Sequence, residues 1–144
     1  MVMIQKEHVR VQHCVEDWKQ AVIDVVNPLV EDGYVEKRYI DGIFENTEKM
    51  GPYYVIAPQI AIPHARPEQG VIKKAMSILL LKEPIKFSED GFEVRLLIAL
   101  AATDSQSHLE SLVTLSNLLS DESTLASMLQ ASSNEELYEF FRHL

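Results

Sequence analysis

A single cysteine, Cys14, occurs in the 144 residues. No internal disulfide can form, and a reducing, cytoplasmic setting is the expectation. Basic charge is also scarce. Thirteen Lys and Arg stand against 22 Asp and Glu, for a net charge of −9. The basic residues are scattered, which argues against a nucleic-acid ligand. An acidic surface favours solubility, and it can also steer a basic protein partner. Long apolar runs are missing. The longest, residues 76–81 and 96–102, fall far short of the roughly 18–20 residues that span a bilayer. Residues 1–10 carry charges where a secretory signal has an apolar block. No zinc-type spacing of Cys and His occurs, and no GxxxxGK[ST] phosphate loop. No Ser or Cys elbow accompanies a histidine, so a hydrolase with His64 or His108 as base ranks last. Repeats and linkers are absent too, which leaves one domain over residues 1–144.

What is present reads in three parts. Val15, Trp18, Val22, Val25, Val26 and Leu29 recur at helical spacing, and Pro28 predicts a kink or break near Asn27. Gly33 marks a turn. Val35, Tyr39, Ile40, Ile43, Phe44 and Met50 form a second helical stripe, closed by Gly51-Pro52. The period then changes. Residues 53–56 and 60–62 are short apolar segments parted by Pro58. Residues 75–81 and 94–102 are nearly continuous apolar runs, as in strands buried on both faces. Pro84 and Gly91 mark the connection between these two. Leu109, Leu112, Leu115, Leu118 and Leu119 return to helical spacing. Leu125, Met128 and Leu129 follow, and Ser133 with Glu136 reads as a capping box before Leu137, Phe140 and Phe141. Helices on either side of a strand block predict a three-layer α/β/α sandwich with a mixed central sheet, flanked by helices on both faces.

Five histidines are present. His8, His13 and His143 lie in polar surroundings near the termini and read as solvated. His64 follows a short apolar strand directly. Pro63 and Pro67 stiffen the backbone on either side of it, and Ala61 and Ala65 leave room around the ring. His108 falls where a buried strand gives way to a helix. Asp104, Ser105 or Ser107 can be the N-cap, and Ser107 with Glu110 fits a capping box. Free amides and the positive dipole end there favour an anion. The pattern suits phosphoryl transfer: neutral His64 as nucleophile, with His108, helix-terminal amides and Arg66 on the phosphoryl oxygens.

The stretch Ala57-Pro58-Gln59-Ile60-Ala61-Ile62-Pro63-His64-Ala65 resembles the active-site signature of the mannitol/fructose-type enzyme IIA proteins of the phosphoenolpyruvate-dependent sugar phosphotransferase system. The wider sequence, Gly51-Pro52-Tyr53-Tyr54 and Pro63-His64-Ala65-Arg66-Pro67-Glu68, is similar to the ascorbate-specific branch. The resemblance covers nearly the whole chain, from about residue 4 to residue 144. It implies that His64 accepts a phosphoryl group from the carrier protein HPr and passes it to a cysteine of an enzyme IIB component. It implies that His108 contacts the phosphoryl group; Arg66, Ser105, Ser107 and Lys49 are expected to bind or support that group. No metal or organic cofactor is implied. Ile62 and Ala65 are expected to touch the partners, and the membrane enters only through a IIC permease. A homodimer stays open. The sequence departs from the mannitol type at one point. Glu48 stands about where those proteins carry an arginine, so either Lys49 or Arg66 supplies the positive charge. The same resemblance allows a second role, a regulatory domain whose phosphohistidine acts as a switch on a partner.

Overall fold

The computed structural model describes residues 4–143. Residues 1–3 and 144, the ends of the predicted domain, lie outside the described residues. From the amino end the chain forms a 3-10 turn (Lys6–His8), β1 (Val9–Gln12), α1 (Trp18–Glu31), α2 (Arg38–Met50), β2 (Val55–Ala57) and β3 (Gln59–Ala61). A second 3-10 turn (Pro67–Gln69) precedes β4 (Ala75–Lys86) and β5 (Glu93–Ala101), and the chain ends with α3 (Ser105–Leu119), α4 (Glu122–Leu129) and α5 (Asn134–Glu139).

The five strands make one mixed sheet in the order β1-β4-β5-β3-β2. β1 runs parallel to β4, and β3 runs parallel to β5. The β4–β5 and β2–β3 pairs are antiparallel. Side chains alternate across a strand, and both faces of β4 and β5 are covered. Leu79, Leu81, Leu97 and Ala99 pack with Val22, Val25 and Ile43 of α1 and α2. Ile78, Leu80, Leu96 and Ile98 pack with Leu115, Met128, Leu137 and Phe141 on the other side. This is the expected sandwich, and it explains why residues 75–81 and 94–101 lack polar alternation. Each leucine so buried contributes on the order of 2 kcal/mol.

The turn that leads to His64 is built at Pro58-Gln59. Ala57 pairs with Ile60, so these two residues form the tip of the β2–β3 hairpin. Gln59 has φ of 74°. Proline followed by a positive-φ residue is the pattern of a type II turn, in which glycine usually fills the second place.

Several expectations need correction. α1 is not broken at Asn27 but continues through Pro28 to Glu31. Proline removes one amide and frees the carbonyl four residues earlier. That carbonyl, of Asp24, accepts a hydrogen bond from the Arg10 guanidinium, so a partner on β1 compensates the loss. Pro84 lies inside β4, at the register shift between Leu80 and Ile85, and not in the connection. Pro is tolerated where pairing is already interrupted. Val35 lies outside the second helix and bridges Val71. Ser133 caps α5 by accepting the Glu136 amide, but the Glu136 carboxylate turns to the Ser132 amide and hydroxyl, so the capping box is only half formed. His8 is 2% exposed. Its Nε2 donates to the Asp32 carboxylate at 2.6 Å, and its ring meets Tyr34 edge-on. His13 and His143 are exposed. No described helix is long and apolar enough to cross a membrane.

Candidate active site

Because β3 and β5 are parallel, their carboxyl ends lie at the same end of the sheet. Pairing persists past β3: the Leu100 amide donates to the Pro63 carbonyl at 3.1 Å. The next residue is His64. β5 ends at Ala101, and α3 starts four residues later. The sheet register therefore brings His64 to the start of α3, and the two imidazole centroids are 4.8 Å apart. Both rings line an open cleft of about 280 Å³ together with Asn46, Tyr53, Arg66 and Ser105.

The tautomer of His64 follows from its contacts. Nδ1 lies 2.7 Å from the Ile62 carbonyl oxygen. A carbonyl only accepts, so Nδ1 carries the proton and donates it. Nε2 is then left with a lone pair. The His64 pKa is lowered from its ordinary 6.5, first by burial; the Ile62 carbonyl opposes this, and nearby His108 adds to it. Burial likewise lowers His108. Both rings are therefore neutral at neutral pH, which is the nucleophilic form.

The loop around His64 is tied down from below. Buried Tyr39 donates from its hydroxyl to the Leu100 carbonyl at 2.7 Å and accepts from the Ala65 amide at 3.0 Å. It links the end of β5 to the residue after His64. Burial pushes the Tyr39 phenol well above its ordinary range. The buried Tyr54 hydroxyl pairs instead with Thr47 of α2 at 2.7 Å, and its pKa is pushed up to about 12, again mainly by burial.

At α3 the N-cap is Asp104. Its carboxylate accepts the Ser107 amide at 2.8 Å, and Ser107 Oγ lies 3.4 Å from the Asp104 amide. The capping box thus pairs Asp104 with Ser107. The expected Ser107–Glu110 box does not form: Glu110 instead accepts from Gln106 at 3.1 Å. These bonds, the Ser107 amide first, hold the Asp104 carboxyl below its usual range. The His108 amide closes the first helical turn on the Asp104 carbonyl at 3.1 Å. The Ser105 amide, in the first turn and on the cleft, has no acceptor of its own among the described residues.

The candidate residues are thus sorted by position. His64, His108, Arg66, Ser105 and Ala65 come together at the cleft. Ser107 does not line it, because its hydroxyl and amide serve the cap. Lys49 is exposed on the last turn of α2 and is not among the lining residues. Arg66 is the lysine or arginine on the cleft, and it forms no ion pair among the described residues. Ile62 is 2% exposed and packs into the core beneath α3, so it cannot present a contact surface. Ala65 is itself 8% exposed. Met50 is an exposed apolar side chain on the cleft; Leu109, the residue after His108, and Val113 one turn further along α3 are exposed as well. Sequence reasoning missed Tyr39, Asn46, Tyr53 and Gln69 as parts of the site. One signal was available for Asn46. It sits on the helical stripe of Tyr39 and Ile43, where an amide is out of place unless it has a buried partner.

Comparison with known proteins agrees with this architecture. The family model described as "Phosphoenolpyruvate-dependent sugar phosphotransferase system, EIIA 2" matches residues 2–144. The mannitol-specific cryptic phosphotransferase enzyme IIA component of Escherichia coli K12 is 39% identical over 129 residues, covering 90% of this chain and 88% of that one. The ascorbate-specific enzyme IIA component of the same strain is 36% identical over 139 residues, covering 95% and 90%. The solution structure of the mannitol-specific cryptic enzyme IIA CmtB from Escherichia coli superimposes with a TM-score of 0.90 at 35% identity, over 98% of this chain and 96% of that one. The protein is a phosphotransferase component of the kind that carries phosphohistidine. More particularly, it belongs to the EIIA 2 family of the phosphoenolpyruvate-dependent sugar phosphotransferase system.

Proposed function

We propose that the protein accepts a phosphoryl group from phospho-HPr on Nε2 of His64 and delivers it to a cysteine of an enzyme IIB component in the cytoplasm. The observation that carries this reading is the neutral His64 ring, held through Nδ1 by the Ile62 carbonyl at 2.7 Å with its other nitrogen free beside His108. In the first step the Nε2 lone pair forms a bond to phosphorus as the donor's N–P bond breaks, and the electron pair stays on the donor imidazole. The phosphorylated ring then carries a positive charge, which the Ile62 carbonyl stabilises through Nδ1–H. His108, the Ser105 amide and Arg66 supply donors and charge to the phosphoryl oxygens. In the second step a thiolate attacks phosphorus, the S–P bond forms, and the N–P pair returns to Nε2. Nothing else needs to move, which suits a carrier that must give up its group readily. Both partners dock in turn over the mouth of the cleft, where Met50 is exposed, through a small transient interface.

The pH dependence tests the chemistry. His64 must be neutral to attack, and its pKa lies below 6.5. Initial labelling rates with saturating phospho-HPr are expected to fall in acid, with a midpoint below the ordinary histidine value of 6.5. The ring shifts of His64 in an NMR titration should show the same midpoint. A midpoint above 6.5 in the titration contradicts a buried neutral nucleophile.

The uptake served is proposed to be that of L-ascorbate or a related sugar. The support is the local sequence through Glu68 and the ascorbate-specific relative that matches 95% of this chain. Cells lacking the protein are expected to lose phosphorylating uptake of ascorbate. Loss of mannitol uptake with ascorbate uptake intact would overturn the sugar assignment and leave the carrier chemistry standing.

A further inference from the structure

Three polar side chains around the cleft take no part in the chemistry above, yet they bond chiefly to one another and to the backbone of the His64 loop. Asn46 is 4% exposed on the inner face of α2. Its amide nitrogen donates to Gln69 Oε1 at 3.0 Å, and its oxygen lies 3.4 Å from Gln69 Nε2. The same Gln69 oxygen accepts the Arg66 amide at 2.9 Å. Tyr53 donates from its hydroxyl to the carbonyl of His64 itself. Burial raises the Tyr53 pKa above its ordinary value, and the neighbouring Asn46 side chain opposes that rise. The Tyr53 ring stands edge-on to the His64 imidazole, with centroids 5.2 Å apart at 86°.

We infer that Tyr53, acting alongside the Asn46–Gln69 pair on the same loop, is a positioning residue that holds His64 with Nδ1 on the Ile62 carbonyl and Nε2 free for the phosphoryl group. The rate consequences rest on the carrier reading, whereas the imidazole geometry does not. A bond from a histidine ring to the carbonyl two residues back requires a particular setting of the backbone between them. Pro63 restrains that backbone on the amino side. On the carboxyl side the restraints are the Tyr53 hydroxyl on the His64 carbonyl, the Tyr39 hydroxyl on the Ala65 amide, and Gln69 on the Arg66 amide. Asn46, which lines the cleft with Tyr53, bonds to the last of these through Gln69. The edge-on tyrosine ring also limits rotation of the imidazole, which otherwise could exchange the positions of its two nitrogens.

The helix makes room for this arrangement. A Cβ at Gly42 would lie 3.0 Å from Gln69 Nε2 and 3.2 Å from Gln69 Cβ. Glycine is unfavourable within a helix, and here it gives Gln69 the space to reach Asn46. The Asn46–Gln69 pair in turn holds the Arg66 amide, two residues past His64.

The test is Tyr53→Phe in the full chain. That change keeps the ring and removes the hydroxyl. The expected result is an initial phosphoryl-acceptance kcat lower by about tenfold with KM for phospho-HPr unchanged, since misplacement of a nucleophile affects the reacting geometry and not docking. The nitrogen-15 spectrum of the imidazole is expected to show a smaller Nδ1-protonated fraction for His64. Gln69→Met, at a half-buried position, is the second variant and should move both readouts in the same direction. Combined with Tyr53→Phe, its effect on rate should be less than the product of the two. Native kcat together with a native imidazole spectrum in folded Tyr53→Phe would overturn the inference. If the unaltered protein takes no phosphoryl group, the carrier reading fails separately and the spectrum alone decides: an unchanged tautomer in both variants rejects the positioning role, and a changed one upholds it.

Discussion

His64→Ala is expected to lower phosphorylation by phospho-HPr by about 10⁴-fold or more, the scale on which an enzyme loses activity with its nucleophile. The loss is that large because the cleft offers no substitute. His108 lies 4.8 Å away by ring centroid, but it is fixed on the first turn of α3 by the Asp104 cap. In the proposed mechanism its ring donates to a phosphoryl group on His64 and does not attack the incoming donor. The fold should survive the change. His64 is only part-buried, and its ring gives up one hydrogen bond, to Ile62, worth about 1 kcal/mol. The check is labelling of the variant beside a thermal melt. A folded variant that still takes label, on His108 or elsewhere, would remove His64 from the centre of the account.

His108→Ala is expected to leave His64 reactive but to slow transfer in both directions by about 10²–10³-fold, the usual effect of removing one donor aimed at developing charge. His108→Gln, which keeps a donor, should fall between the two. A second effect separates a direct role from a structural one. The charge on protonated His108 disfavours protonation of His64 and so helps to lower its pKa. With that charge gone, His64 should titrate somewhat higher, while burial continues to hold it below its ordinary value. The α3 cap does not involve the His108 ring, so helix stability should change little. Stopped mixing with phospho-HPr and with the IIB acceptor measures both directions. Native rates in both, with an unmoved His64 titration, would reduce His108 to a helix residue.

The sheet and the two histidines were legible from the sequence because their signals are local. Residues 75–81 and 94–101 have no polar alternation, and only strands covered on both faces tolerate that. Pro63 before His64, and the cap residues before His108, identify an exposed strand end and a helix start without any tertiary knowledge. Features that depend on distant partners were not legible. Pro28 follows a sound local rule for breaking helices, and the rule fails because Arg10 reaches the freed Asp24 carbonyl. β1 is a four-residue edge strand whose Arg10 and Gln12 bond to α1 and hide its character. His8 looks solvated among charged neighbours, yet Asp32 and Tyr34 receive it from a different element. Ile62 continues the inward-facing set of Ile60, and strand alternation alone argued against its exposure. The bracing of His64 by Tyr53, Asn46 and Gln69 joins three separate parts of the chain, so no single window of sequence contains it.

The central claim is that Nε2 of His64 carries the phosphoryl group. Its most direct test is incubation with phosphoenolpyruvate, enzyme I and HPr, followed by intact mass at mildly alkaline pH and peptide mapping. The predicted result is one adduct of about 80 Da, a single phosphoryl group, located on His64, lost in acid and transferable to a IIB cysteine. No adduct, with the same donor mixture active on another acceptor, or an adduct on any other residue, would contradict it.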